Sequence, residues 1–236
     1  MKIIKEITDD KPFLIVFKPS GIPSAPLSEN DTNNIFFQVA QKYPQVLNVI
    51  GRKKIEHGLI HRLDTVTSGL IIIAATQDSY EELIELQKQN KIKKYYKAIC
   101  EYKPEILQKL EGFPSQIEKY STLKKEYLLK SYFRHYGIGR KEVRPVCENC
   151  EKQILKKVEQ KKIYSTKIKI LSENEQKIQV ETCITNGFKH QIRSHLAWLG
   201  LPIISDPVYN ISKEKNKTEM NFCAYKIDIC GDIWYI

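Results

Sequence analysis

Short runs of β-branched and other apolar residues, each ended by polar or turn-forming residues, restrict the fold of this sequence more than any other feature. Runs of this length and composition are typical of β-strands, because branched side chains pack well on a pleated surface. The predicted strands cover residues 13–18, 70–75, 95–100, 164–171 and 176–184. The last two alternate apolar and polar residues on either side of a polar stretch at 172–176, which predicts two antiparallel strands.

Two segments have helical spacing instead. Residues 78–90 begin with Asp78, which we expect to cap a helix with an acidic first turn. Residues 189–199 place Ile192, Leu196 and Leu199 on one face, and Gly200 supplies a stop. Because strands outnumber helices, we expect an α+β fold with a mixed, largely antiparallel central sheet flanked by helices and loops.

The first turn of the second predicted helix is basic. Lys189, His190, Gln191 and Arg193 lie away from its apolar face, and cations near a helix N-terminus oppose the helix dipole. The arrangement therefore calls for an anionic partner, either a carboxylate or a phosphate. A basic face exposed to water is the alternative.

Length and composition favour one cytoplasmic domain. The 236 residues are 42% hydrophobic, without a repeat, a flexible linker, an export signal or an apolar run long enough to cross a bilayer. We expect a single domain over residues 1–236, with an exposed basic insertion around 130–162. The six cysteines are scattered, which predicts reduced thiols.

The charge of the chain indicates an acidic partner. Its 38 Lys and Arg residues exceed its 28 Asp and Glu residues by ten, and residues 88–169 alone carry a net charge of +13. Nucleic acid is the usual partner of such a segment, because each neutralised phosphate releases a counterion. Codon bias toward lysine explains the number of lysines equally well, but not their placement.

A polar cluster separates two apolar runs at residues 58–74. His61, Arg62 and Asp64 lie in it, and a carboxylate next to a core must find partners. A polar turn in which the Asp64 side chain bonds nearby backbone amides is the alternative reading.

Four stretches together resemble the RluA-type pseudouridine synthases. The sequence His61-Arg-Leu-Asp-x-x-Thr-Ser-Gly-Leu is similar to the catalytic motif of that family. The other three stretches are Val16-Phe-Lys-Pro-Ser-Gly-Ile-Pro23, Lys94-x-Tyr96-x-Ala98, and His190-Gln-Ile-Arg193 with Leu199-Gly-x-Pro-Ile-x-x-Asp-x-x-Tyr209. They occur in the family's order and cover most of the chain.

The resemblance implies the isomerisation of uridine to pseudouridine in ribosomal RNA or tRNA, without a cofactor or metal. It makes Asp64 the essential carboxylate, either as a nucleophile or through proton transfer. Tyr96 is expected to stack on the uracil and help remove the proton of carbon 5. Arg193 is expected to pair with Asp64 and keep it ionised. A catalytically inactive RNA-binding protein on the same scaffold is the alternative.

Several basic residues are expected to contact the RNA. Arg62 is expected to fill the gap left by the flipped uridine, or else to be a second counter-ion for Asp64. Lys18 either binds a phosphate or flanks a Pro-Gly turn. Arg140 and Arg144 belong to a segment in which basic residues alternate with aromatic ones, which is typical of RNA-binding surfaces. The remaining candidates are His61, Lys94, Lys189 and His190.

The sequence departs from the family pattern at a few positions. Phe188 stands where the family commonly has an arginine, which removes one potential phosphate contact, and Phe222-Cys223-Ala224 is expected to pack in the core. Cys147 and Cys150 have the spacing of half a zinc site or of a redox pair, but no second C-x-x-C occurs, so two free thiols in a loop are the favoured reading. No separate N-terminal RNA-binding domain is expected, nor a membrane or an obligatory protein partner, and the protein is expected to be a monomer.

Overall fold

The computed structural model describes residues 1–28, 30–116, 118–174, 177–210 and 219–236. Backbone contacts divide the chain into two compact units. The first unit contains Met1–Tyr95 and Cys223–Ile236, and the second contains Tyr96–Phe222. The prediction of one catalytic domain over the whole chain stays a prediction.

The regular elements follow one another in a mixed order. The strands are β1 Lys2–Lys5, β2 Phe13–Lys18, β3 Ser68–Ala74, β4 Ile92–Glu101, β5 Glu126–Tyr136, β6 Glu142–Val146, β7 Tyr164–Asn174, β8 Lys177–Ile184, β9 Phe222–Ile229 and β10 Asp232–Tyr235. The α-helices are α1 Ile35–Lys42, α2 Gln77–Lys88, α3 Ile106–Lys109, α4 Lys152–Leu155 and α5 Gln191–Trp198. Short 3-10 turns cover Pro44–Asn48, Lys54–Glu56 and Ile138–Arg140. No helix in the described part of the chain is long and apolar enough to cross a membrane.

The sheet of the first unit is mixed. Strands β1, β2 and β3 pair antiparallel, β9 runs parallel to β3, and β10 returns antiparallel along β9. Gly69 is required where β3 meets β9, because a Cβ atom there would lie 2.4 Å from the backbone of Ala224. The core of this unit consists mainly of aliphatic side chains from β2, β3 and α2.

The second unit is antiparallel. Strand β7 pairs with β8 on one side and with the first half of β5 on the other, whereas the second half of β5 pairs with β6. The predicted α+β class with a largely antiparallel sheet is therefore confirmed, as are all five predicted strands. The range 130–162 consists of the β5–β6 hairpin, the following loop and the short helix α4.

The start of α2 differs from the prediction. Thr76, not Asp78, is the N-cap, and its hydroxyl oxygen accepts the backbone N–H of Ser79 at 3.2 Å. Thr76 has the extended backbone of a capping residue, and Asp78 lies within the first turn, where its charge complements the helix dipole. Tyr80 and Leu83 of this helix are buried.

Helix α5 is buried on all sides, not only on the predicted apolar face. All eight of its residues are buried, because the helix packs against β6, β7 and α3. Its polar side chains have internal partners. His195 bonds Ser131 at 2.9 Å and Thr166 at 2.8 Å, and the Gln191 amide donates to Thr166 at 3.0 Å. The alternative interpretation, a basic face exposed to water, is therefore wrong for Gln191 and Arg193.

Candidate active site

The segment that carries Asp64 is fixed by its backbone. The N–H of Ile60 donates to Ile72 at 3.1 Å, and the hydroxyl of Ser24 exchanges hydrogen bonds with the backbone of Leu63. The carbonyl of Asp64 accepts the N–H of Thr67 at 2.9 Å, which closes the turn into β3. Leu63 is buried, Arg62 is exposed and Asp64 is half-buried. Arg62 and Asp64 are thus both accessible to solvent, on either side of the buried Leu63.

Lys18 is a structural residue rather than a phosphate ligand. Its ammonium group is fully buried and donates to the carbonyls of Pro19, Ile22 and Thr65 at 2.8–3.2 Å. These three bonds use all of its N–H donors. Burial lowers the pKa of Lys18 to about 8, although the charge of Asp64 opposes this shift. The structure therefore favours the alternative in which Lys18 flanks and stabilises the adjacent Pro-Gly turn.

Lys94 is buried, and the half-buried His61 lies within reach of its charge. The Lys94 ammonium donates to the side chain of Gln87 at 3.2 Å, so its expected direct contact with RNA is wrong. Burial, with a smaller contribution from Lys94, holds the pKa of His61 well below its usual value. His61 is therefore neutral at pH 7. Its Nε2 atom is buried without a hydrogen-bond partner among the described residues.

Arg62 pairs with Glu56. The distance from its Nη1 atom to the Glu56 carboxylate is 2.9 Å, and Lys53 approaches the same carboxylate at 3.9 Å. The Arg62 side chain remains 54% exposed. The ion pair that the structure gives Arg62 is thus with Glu56 rather than with Asp64, and its side chain faces solvent as an RNA contact requires.

In the second unit, Tyr96 lies near the start with its ring buried. Phe222 stacks on it with 5.2 Å between ring centroids and 18° between planes. Phe222 and Ala224 are buried, so the expected core packing of the segment around Cys223 holds for both. The aromatic partner fixes the plane of the Tyr96 ring.

Arg193 is held by a carboxylate that the sequence reasoning did not assign to the site. Its Nε and Nη2 atoms donate to the two oxygens of Asp206 at 2.7 and 2.8 Å, and both side chains are buried. Asp206 also accepts the backbone N–H groups of Val208 and Tyr209. The Tyr209 ring lies 5.4 Å from the guanidinium. Asp206 is the aspartate of the motif that ends at Tyr209. Its place in that motif could have identified it as a site residue from the sequence.

Tyr209 also connects His190 to β6. Its hydroxyl bonds the Nδ1 atom of His190 at 3.1 Å and accepts the N–H of Val143 at 3.1 Å. Burial raises the pKa of Tyr209 above its usual range. His190 has a positive φ of 54° just before α5, which is a strained position for a residue other than glycine. Lys189 is exposed beside it, consistent with a surface contact.

Arg140 and Arg144 of the β5–β6 hairpin differ in exposure. The Arg144 side chain is 3% exposed, donates to Glu142, to Glu111 and to Val143, and lies 4.4 Å from the Tyr136 ring. Its predicted RNA contact is wrong, because these partners occupy the guanidinium in the interior. Arg140 is 68% exposed and pairs with Glu159, so it stays a candidate for RNA binding.

Phe188 has become part of an aromatic cluster. Its ring stacks on Phe133 at 5.2 Å with 7° between planes, and it also contacts Tyr164. An arginine at position 188 would place a charge in this packing. The departure from the family pattern therefore contributes to the core of the second unit.

The cysteine pair lies in the loop after β6. Cys147 and Cys150 are free and half-buried, and burial raises the pKa of Cys147 to about 11. Within the ranges that the structure describes, no three His, Cys, Asp or Glu side chains are grouped as metal ligands.

Comparison with known proteins shows the family of the chain. Residues 12–198 match the RNA pseudouridylate synthase family, and the chain belongs to that family. Over 206 residues it is 27% identical to ribosomal large subunit pseudouridine synthase D of Buchnera aphidicola subsp. Schizaphis graminum, covering 87% of this chain and 54% of that protein. It is 30% identical over 208 residues to human pseudouridylate synthase RPUSD2, covering 88% of this chain and 31% of the relative. The chain thus spans about half or less of the length of these relatives.

A solved structure shares the fold. Human RNA pseudouridylate synthase domain containing 1 superposes with a TM-score of 0.66 at 17% identity, covering all of this chain and 81% of that one. At this identity the similarity concerns the fold alone.

Proposed function

We propose that this protein isomerises uridine to pseudouridine within RNA. The observation that carries the proposal is the family match over residues 12–198, which spans Asp64, Tyr96 and Arg193. In this reaction the bond from the ribose to nitrogen 1 of uracil breaks, a bond from the ribose to carbon 5 forms, the proton of carbon 5 leaves, and nitrogen 1 takes up a proton. No atom is gained or lost overall, so the reaction needs no co-reactant.

Asp64 is proposed as the essential carboxylate. It is half-buried on a backbone that several hydrogen bonds hold in place, which limits its movement relative to a bound nucleotide. A carboxylate in this position serves either as a nucleophile toward the ribose or as a proton acceptor.

Arg193 is proposed as the partner of Asp64. A guanidinium has five N–H donors, and Asp206 uses two of them while fixing the direction of the group. A second carboxylate bound to the same cation would be held in a defined direction, because the guanidinium is itself fixed by Asp206. Tyr96, whose ring plane is set by Phe222, is proposed to stack on the uracil and assist removal of the carbon 5 proton.

The proposed substrate is ribosomal RNA. The name of the Buchnera relative specifies the large ribosomal subunit, and the basic composition of this chain suits an RNA partner. Transfer RNA is the other class that the sequence predicts. The monomeric state, the lack of a protein partner and the cytoplasmic location remain predictions, and light scattering on the purified protein tests the first of them.

The decisive experiment maps pseudouridine in cellular RNA with and without this protein. Wild type should restore each lost modification, and Asp64→Asn should restore none. In vitro, wild type should release tritium from RNA labelled at carbon 5 of uridine, because that hydrogen leaves during isomerisation. The proposal fails if removal of the protein changes no uridine, or if Asp64→Asn restores every modification.

A further inference from the structure

A second basic surface lies in the first unit, outside the strongly basic middle segment. Residues 50–62 contain Arg52, Lys53, Lys54 and Arg62 against a single acidic residue, Glu56, which gives a local net charge of +3. The side chains of all four basic residues are exposed. The positive charge of this loop is therefore presented to solvent.

The loop has a fixed conformation. The N–H of Ile50 donates to the side chain of Gln77 and that of Arg52 to the Tyr80 hydroxyl, both at 2.9 Å. Gly51 packs so closely that a Cβ atom there would lie 2.1 Å from the carbonyl oxygen of His57. These contacts tie the loop to the start of α2 and close it on itself. A pre-ordered loop loses little conformational entropy when it binds a ligand.

Glu56 joins the loop to the proposed catalytic segment. Its carboxylate bonds Arg62 at 2.9 Å and lies 3.9 Å from Lys53. Its N–H also donates to the carbonyl of Lys53 at 2.9 Å. Arg62 precedes Asp64 by two residues, and both side chains are accessible to solvent. The basic cluster therefore continues directly into the residues that bear the proposed chemistry.

We propose that Arg52, Lys53 and Lys54 bind the phosphate backbone of the substrate RNA beside the reacting nucleotide. This inference rests on the proposed function. An RNA backbone is the partner that fits, because it carries a regular array of negative charges and residues 50–62 present four exposed basic side chains against one acidic residue in the sequence, Glu56.

Charge removal at the loop tests the proposal. In the variant R52Q/K53Q/K54Q, RNA binding should lose part of its salt dependence, since each phosphate contact contributes about 0.7 to the slope for single-stranded RNA. Three contacts correspond to a slope change of about 2. When KCl rises from 50 to 200 mM, the affinity loss of the variant should be about 18-fold smaller than that of wild type. Fluorescence anisotropy with unmodified large-subunit ribosomal RNA fragments transcribed in vitro measures this loss.

Two control variants separate local binding from net charge and from folding. The variant K2Q/K11Q/K42Q removes the same charge from surface lysines of the first unit that lie outside residues 50–62 and 88–169, and it should keep the wild-type slope. The variant R52K/K53R/K54R keeps every charge and should also keep it. An unchanged slope in R52Q/K53Q/K54Q, or an equal decrease in K2Q/K11Q/K42Q, would overturn the proposal.

Glu56→Gln gives a test in the opposite direction. It raises the local charge from +3 to +4, so RNA should bind more tightly than to wild type, whereas damage to the loop would weaken binding. Weaker binding by E56Q contradicts the proposed surface. The binding slopes are measured without turnover, so they distinguish failure of this surface from failure of the proposed isomerase, which the Asp64→Asn experiment decides.

Discussion

The buried ion pair between Arg193 and Asp206 makes a quantitative prediction. The two side chains are joined by two hydrogen bonds of 2.7 and 2.8 Å and are 2% and 0% exposed. Asp206→Asn preserves the size of the side chain but removes the negative charge next to a buried guanidinium. Breaking such a pair from one side costs about 3–5 kcal/mol, because the remaining charge stays desolvated. This is a large fraction of the usual stability of about 5–15 kcal/mol.

Urea unfolding measures the effect. Trp198 lies in α5 and reports on the second unit, and a W234F background removes the other tryptophan from the signal. With a urea dependence of about 2–3 kcal/mol per molar, D206N should lower the unfolding midpoint by about 1–2 M. The exposed pair of Arg140 and Glu159 provides the matched control, and Glu159→Gln should cost less than about 1 kcal/mol.

A double substitution tests whether the loss comes from the remaining charge. R193M/D206L replaces both charges by apolar groups of similar size and should be clearly more stable than D206N. The reasoning is refuted if D206N and E159Q have the same small effect. It is also refuted if R193M/D206L is as unstable as the sum of the two single variants, since the two sites would then be independent.

Three further predictions concern buried cationic and neutral groups. Burial lowers the pKa of Lys18 to about 8, so the unfolded chain binds one more proton than the folded protein between about pH 8 and 10.5. The stability of wild type should therefore rise with pH over this range relative to Lys18→Met. A stability difference that stays constant in urea titrations contradicts this. Burial lowers the pKa of His195 to about 3. Wild type should therefore lose stability relative to His195→Gln as the pH falls from about 6.5 toward 3. Parallel acid denaturation curves of the two proteins would argue against this prediction. Arg144→Ala should lower the free energy of unfolding in urea by about 2–4 kcal/mol, because Arg144 is buried. Arg140→Ala should change it by less than about 1 kcal/mol but should weaken RNA binding in anisotropy titrations. Equal stability losses would contradict the assignment of Arg144 to the interior.

Strands were predictable where the alternation of apolar and polar residues was clear, and β5 shows why others were missed. Its inward positions include Tyr127, Leu129 and Phe133, but also Ser131, and Leu128 faces outward. The alternation is present but weakened, because Ser131 is buried to bond His195 rather than to pack as an apolar group. The polar residue at this buried position is thus explained by a hydrogen-bond partner 64 residues away in the sequence.

The motifs predicted the segments of the candidate site better than the roles of its basic residues. Lys18, Lys94 and Arg144 were expected on an RNA-binding surface, and all three are buried. Each is held by polar groups from another part of the chain, for instance the carbonyl of Thr65 for Lys18 and that of Glu111 for Arg144. The sequence identifies a charged residue, whereas these distant partners determine whether its charge is available to a ligand.

Exposed local charge supports the proposed RNA-binding surface at residues 50–62, whereas net charge along the sequence favours another segment. Residues outside 88–169 sum to −3, which made the middle segment the expected docking site of an acidic partner. Yet residues 50–62, within that acidic remainder, carry +3 on exposed side chains, and the last of these, Arg62, precedes Asp64 by two residues. Screening limits the attraction of exposed charges to about 8–10 Å at physiological ionic strength, so acidic residues farther away do not cancel this cluster. Phosphates bound at residues 50–62 would therefore respond mainly to the charges of the loop itself, including Arg62 and the Glu56 carboxylate that bonds it at 2.9 Å.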